Sequence, residues 1–288
     1  SENVAKTRLV GIGADIGGPR LDSSIVTTPT VMKSIAGDVE TPQRHDSSHK
    51  HIAGEAVFVD DIPTPRGTLA VHVAMSTRAH AKIVDLDLSP VRAAPGVVCV
   101  VAAADIPGKN DISPVMGDDP LFAEGVVEYA GQSLFAVGAE TIEMARDAAA
   151  LARIFYEDLP AVISIDEAMD QGSLLEEPYV MSRGDAQAAI DGAVHSLSGR
   201  VYVGGQEHFY LEGQAALALP GEDGDITLHS STQHPSETQQ IIAKMLNQKS
   251  NTINVLVRRI GGGFGGKETN FMTSCICALL ASKTKKPV

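Results

Sequence analysis

Gly261-Gly262-Gly263-Phe264-Gly265-Gly266-Lys267-Glu268 is the stretch on which the reading of this chain turns. Five glycines fall within the six residues from Gly261 to Gly266. Glycine lets a backbone approach a ligand closely and adopt positive φ, at an entropic cost that a mere turn does not justify. The flanks say what the loop joins. Thr252 to Arg259 is β-rich, and Phe271, Cys275, Ile276, Leu279 and Leu280 keep helical spacing. Strand, glycine loop and helix in that order form an anion-binding arrangement, because unpaired N–H groups and the positive dipole end meet at a helix N-terminus. Glu268 is expected in the first turn of that helix, where an acid suits the dipole. Gly261, Gly266 and Lys267 also satisfy most of a phosphate-loop pattern. The next residue should then be Ser or Thr to hold Mg²⁺, and it is Glu268. Val57-Phe58-Val59-Asp60-Asp61 imitates the apolar strand with an acidic end that such a site uses, but it lies far upstream of the loop. A phosphate-loop nucleotide-binding protein is therefore the weaker alternative.

Working back from the loop, extended runs at Gly199–Val203, Gln214–Leu219 and Asp225–Ser230 are separated by Pro220-Gly221 and Asp223-Gly224. Pro235 opens a helix with Ile241, Ile242, Met245 and Leu246 on one side. Further upstream, 46–165 reads as a mixed unit. Leu69, Val71, Val73 and Met75 alternate as in a half-buried strand, and Val97–Val101 and Ser133–Val137 suit buried strands. Ser89-Pro90 starts a short helix, and a longer one spans Thr141–Arg153 with Thr141 as N-cap. Residues 1–45 are broken by Pro19, Pro29, Pro42 and Gly17-Gly18 and read as an irregular extension. Gly11, Gly13 and Gly17 depart from a dinucleotide fingerprint, whose third glycine would come one residue earlier.

The 288 residues suffice for about two domains at roughly 100–200 residues each. With 23 Lys and Arg against 36 Asp and Glu, the net charge of −13 excludes a general nucleic-acid binder and an anionic-membrane binder. No apolar run approaches the ~18 residues that a membrane span needs. Cys99, Cys275 and Cys277 are too few for a disulfide framework and suit a reducing cytoplasm. Cys275 and Cys277 fall on different faces of a helix and read as core thiols, not iron–sulfur ligands. His45, His49 and His51 have metal-like spacing but read as a solvated polar turn.

Four stretches together carry a family resemblance. Gly261-Gly-Gly-Phe-Gly-Gly-Lys-Glu268 resembles the molybdenum-cofactor loop of the xanthine dehydrogenase/aldehyde oxidase family. Gly204-Gly-Gln-Glu-His-Phe-Tyr-Leu-Glu212 is similar to that family's signature segment, and Ser231-Thr-Gln233-His-Pro-Ser-Glu237 to the loop presenting a glutamine to molybdenum. Gly54-Glu-Ala-Val-Phe-Val-Asp-Asp-Ile62 is similar to the opening of its hammerhead domain. The fold class this implies is α+β. An irregular extension over 1–45 leads into an α/β-hammerhead domain over 46–165. The first part of a molybdopterin-binding domain follows over 166–288, cut short at Val288.

The resemblance also implies roles. Gln233 contacts the apical oxo group of molybdenum, and Phe264 and Gly265 lie beside the metal and its molybdopterin, with Phe264 excluding water or anchoring the core. Glu268 hydrogen-bonds the substrate, and because aldehyde-oxidising relatives tend to lack this acid, it points to purines. Glu207 and His208, within the signature segment, read on their own residue types as a buried polar network supporting the cofactor domain. The activity implied is that of a bacterial-type xanthine dehydrogenase large subunit, which hydroxylates an electron-poor ring carbon with water-derived oxygen. Electrons leave through iron–sulfur clusters and FAD on a partner subunit to NAD, in a cytoplasmic dimer of heterodimers. The general base and a substrate-binding arginine are expected beyond residue 288, so these residues by themselves are expected to be inactive. A non-catalytic scaffold piece is the alternative in a different class.

Overall fold

The computed structural model of the chain describes residues 44–288, so the near-fingerprint Gly11, Gly13 and Gly17 lies outside the described residues. Two units divide at Gly54. In the first, α1 (Ser48–Ala53) buries no residue and ends at Gly54, whose φ of 71° suits only glycine well. His49 and His51 therefore sit in a short helix and not in the expected turn. The His45 and His51 rings meet edge to face at 5.8 Å. Among the described residues no three His, Cys, Asp or Glu side chains are grouped to hold a metal.

The second unit begins with six strands: β1 (Ala70–Met75), β2 (Ala81–Asp87), β3 (Val97–Ala102), β4 (Val126–Val127), β5 (Ser133–Ala139) and β6 (Arg153–Asp158). They form two antiparallel sheets, ordered β1-β5-β3 and β4-β2-β6. β5 is central and buried at every residue, which is why Leu134-Phe-Ala-Val137 is apolar on both faces rather than alternating. α2 (Ser89–Arg92) has Pro90 in its first turn. α3 (Ile142–Ala149) is capped by Thr141, whose hydroxyl accepts the Met144 N–H at 3.2 Å. It buries Ala145, Ala148 and Ala149, small side chains that let the helix lie close on the sheet. It also stops short of the expected Arg153, because Arg153 opens β6 in register with Asp87.

Two short helices follow, α4 (Ile165–Asp170) and α5 (Ala186–Asp191), capped by Ser164 and Asp185. The expected strand at Gly199–Val203 does not form. Its residues pair with no neighbouring edge, and Tyr202 is 91% exposed. A β-rich run cannot satisfy its backbone as a strand without a partner.

The closing layer holds the loop. β7 (Ala216–Pro220) pairs antiparallel with β8 (Ile226–Ser230), and β8 runs parallel to β9 (Ile253–Leu256). β9 is shorter than the β-rich run 252–259 suggests. Val288 exchanges both backbone hydrogen bonds with Ala218 of β7, at 2.8 and 3.0 Å. α6 (Pro235–Leu246) crosses between β8 and β9. α7 (Met272–Thr284) is apolar on every side and buried from Ser274 to Ala281, as a helix between layers must be. Its Leu279 and Leu280 share one apolar core with Val101 and Phe122 on one side and Leu228 and Ile242 on the other. Cys275 and Cys277 belong to this core, and burial pushes both thiols up, Cys277 to about 12. They are inert packing residues.

Candidate functional site

β8 and β9 are parallel neighbours in the register Ile226↔Ile253 to His229↔Leu256. Their C-terminal ends therefore emerge on the same edge of the sheet, where ligands of open α/β sheets characteristically bind. The segment after β8 carries Gln233, and the segment after β9 is the glycine loop. The two meet there. The Gln233 N–H donates to the Lys267 carbonyl at 2.9 Å. Its side-chain oxygen accepts two loop N–H groups, those of Gly265 and Lys267, each at 3.2 Å. Because two N–H donors fix which end of the amide is oxygen, the NH₂ end is left as a neutral donor.

The glycines are explained by this contact. A Cβ on Gly263 would lie 2.5 Å from Oε1 of Gln233, closer than real atoms come. Gly265 has φ 90°, and nothing lies within 4 Å of where its Cβ would be. Phe264 takes up φ 52° and is 76% exposed, so it is no core anchor. The Phe264–Gly265 backbone is the outward rim of the loop.

Lys267 points the other way. Its Nζ sits 3.0 Å from Oε2 of Glu212 and 4.8 Å from the centre of the Tyr210 ring. The same carboxylate accepts the Gly261 N–H at 2.6 Å and the Val59 N–H at 3.4 Å. One buried acid thus closes both ends of the loop and ties it to the segment at residue 59. A phosphate loop needs its lysine free to reach the ligand, so this geometry contradicts that alternative. So does Val59–Asp61, which is a 3₁₀ turn and not a strand.

Glu268 lies outside the first turn of α7, which starts four residues later at Met272. Two tight turns, Gly266 N–H to Gly263 C=O and Glu268 N–H to Gly265 C=O, keep the chain off a helical path while Lys267 turns inward. The Glu268 carboxylate is half-exposed and lies 3.3 Å from Nε2 of His234, whose Nδ1 lies 3.1 Å from Glu237. Glu268, Gln233, Phe264 and Gly265 are thus brought to one edge. Glu207 and His208 do not form the expected buried network, since their side chains are 74% and 44% exposed. The buried acid of that segment is Glu212. Its signal in the sequence is only an acid ending the apolar run Phe209-Tyr-Leu, with a lysine left unexplained in the loop.

Residues 53–160 match the family model for the a/b hammerhead domain of aldehyde oxidase and xanthine dehydrogenase. Residues 170–288 match the model for the molybdopterin cofactor-binding domain. Xanthine dehydrogenase/oxidase of Gallus gallus is 43% identical over 87% of this chain and 18% of its own length. Aldehyde oxidase 4 of Mus musculus is 39% identical over 86% of this chain, again 18% of its own. The chain thus spans under a fifth of the length of these curated relatives. The crystal structure of quinoline 2-oxidoreductase from Pseudomonas putida 86 superposes with a TM-score of 0.70 at 27% identity, covering 84% of this chain and 33% of that one. With both domain models matched in order and an α+β fold to suit them, the chain belongs to the aldehyde oxidase and xanthine dehydrogenase family of molybdenum hydroxylases.

Proposed function

We propose that the whole protein hydroxylates xanthine-type purines, with Gln233, Phe264 and Gly265 as cofactor contacts, Gln233 and Phe264 nearest molybdenum, and Glu268 as the substrate carboxylate. The observation that carries this reading is the fixed Gln233 amide beside the open Gly265 rim. A molybdenum–molybdopterin group fits these residues, because a neutral NH₂ donor and a backbone without Cβ admit a bulky, acceptor-rich ligand at close range. When bound, the cofactor supplies the two-electron oxidation and the transfer of water-derived oxygen.

The residues of this chain supply position and charge. Gln233 orients without titrating, and Phe264 covers the rim against water. Glu268 shares a proton with a ring nitrogen or oxygen as charge develops on the substrate, an interaction that strengthens in the transition state. In this reading 46–165 and 166–288 are the hammerhead and cofactor-binding parts. Electrons pass to iron–sulfur clusters and FAD on a partner subunit and on to NAD, in a cytoplasmic dimer of heterodimers. Among the described residues no helix is long and apolar enough to cross a membrane.

The test is Glu268→Gln in the full-length enzyme, with xanthine and a small aldehyde compared and molybdenum measured in parallel. An aldehyde offers no ring nitrogen to the carboxylate, so its rate should barely change. Loss of a charge-assisted hydrogen bond worth about 2–3 kcal/mol should lower kcat/KM for xanthine by tens- to hundredfold. Equal losses on both substrates at full metal occupancy overturn the substrate role.

A further inference from the structure

His234 stands between two carboxylates, 3.3 Å from Glu268 by Nε2 and 3.1 Å from Glu237 by Nδ1. Its backbone is tied on both sides. The His234 N–H donates to Oγ1 of Thr232 at 3.1 Å, and its carbonyl accepts from the Thr238 hydroxyl at 2.8 Å and the Thr238 N–H at 3.0 Å. Its neighbour Gln233 is bonded to the loop from which Glu268 projects. The backbone segments that carry the imidazole and the carboxylate are thus held on the two sides of one contact.

Glu268 needs such a hold. It lies in a turn, with no helix to restrict its rotamers, and it is half-exposed. Among the described residues, His234 is the side chain that places a nitrogen near its carboxylate, at 3.3 Å. Lys267, next in sequence, faces inward to Glu212. A long acid left free to rotate must be ordered each time substrate binds, at a cost that a preformed contact removes.

We propose that His234 is a positioning residue for substrate selectivity, holding one carboxylate oxygen of Glu268 so that the other meets the purine ring. This rests on the reading of Glu268 given above. The contact acts on the substrate carboxylate alone, so it distinguishes purines from substrates that do not touch Glu268.

The experiment uses the full-length holoenzyme with His234→Leu, His234→Gln, Glu268→Gln and the double variant His234→Leu/Glu268→Gln. For each, kcat and KM are measured with xanthine and a small aldehyde, together with molybdenum content. Equilibrium binding of xanthine to the chemically reduced holoenzyme, which cannot accept further electrons from substrate, is the readout independent of turnover. His234→Leu should lower kcat/KM for xanthine about tenfold, mainly through KM, as expected when a preorganised contact is lost. Xanthine affinity should fall in parallel, with aldehyde oxidation within about twofold of wild type. His234→Gln, whose amide can replace Nε2 as donor, should recover most of the loss. In the Glu268→Gln background, His234→Leu should have no further effect. Equal losses on both substrates, or an undiminished xanthine loss in that background, overturn the proposal while Glu268→Gln itself stays selective. A non-selective Glu268→Gln removes the purine role of Glu268, and the His234 proposal with it.

Discussion

The ammonium of Lys267 lies 3.0 Å from the Glu212 carboxylate, with the two side chains 1% and 7% exposed. This buried pair, 55 residues apart in sequence, is the foundation of the glycine loop. It holds Gly261 at one end through a 2.6 Å hydrogen bond and Lys267 at the other. The rim at Phe264–Gly265 is thereby left free to face outward. Crowding enforces the arrangement, since a Cβ on Gly261 would lie 2.4 Å from Cβ of Glu212.

Lys267→Met should be strongly destabilising because it leaves Glu212 as a buried charge without its partner. Removing one member of a buried pair typically costs about 3–5 kcal/mol. The Gly261 and Val59 N–H groups still solvate the acid, so the lower end of that range is expected. Lys267→Met/Glu212→Gln should recover part of the loss, because a neutral amide oxygen keeps the Gly261 hydrogen bond without the charge. Urea unfolding of the two variants and wild type measures this. A double variant no more stable than Lys267→Met would show that the uncompensated charge is not the cause.

Gly263→Ala tests the contact between loop and glutamine without touching an ionisable group. The new methyl would meet Oε1 and Cδ of Gln233 at 2.5 and 2.6 Å, so the amide must move and its bonds to Gly265 and Lys267 must lengthen. Overpacking of this kind costs about 1–3 kcal/mol. In the full-length enzyme, molybdenum retention should fall severalfold with modest loss of thermal stability, as metal analysis and thermal unfolding would report. Full metal content with an unmoved Gln233 in a crystal structure would count against the assignment of Gln233 to the cofactor.

Much of this site is legible in the sequence, and the reason lies in local pattern. The apolar run Leu134–Val137 announces β5, and the helical spacing of Phe271, Cys275, Ile276, Leu279 and Leu280 announces α7. The Gln233 segment and the glycine loop each follow a strand, and parallel pairing of β8 with β9 then brings them together. β2 was not legible, because Lys82, Val84 and Asp85 all point to solvent and its burial pattern is weak. Gly199–Val203 has strand composition, but composition cannot supply an edge to pair with. The Glu212–Lys267 pair was invisible for a different reason. Nothing local distinguishes a buried acid from a surface one, and only the folded path of the chain brings the two charges together. Glu268 shows the converse, since its helical-turn reading followed from spacing alone and failed where Lys267 turned inward.

Acid should weaken the attachment of α6, the helix that begins beside His234. The segment before Asp111 is stapled to the end of α6 by the Gly108 N–H to Met245 carbonyl bond at 2.8 Å. Asp111 completes the staple, accepting from Nζ of Lys244 at 2.7 Å and from the Ser113 N–H at 3.0 Å, with Nζ of Lys109 at 3.2 Å. Burial by itself would raise the Asp111 carboxyl, but the hydrogen bonds from Lys244, Ser113 and Lys109 outweigh it and hold the group well below the usual carboxylate range. A carboxyl whose folded pKa is depressed contributes stability that is present above its unfolded value of about 3.9 and lost as pH falls through the folded value. Asp111→Asn should therefore unfold at lower urea than wild type at neutral pH. The gap should hold down to about pH 5 and close progressively below about pH 4, as wild type protonates and the variant has no carboxyl to lose. Urea midpoints across that range measure it. A gap that stays constant into strong acid would assign the loss to packing at position 111 and not to the Asp111 charge, because only the charged form pairs with Lys244 and Lys109.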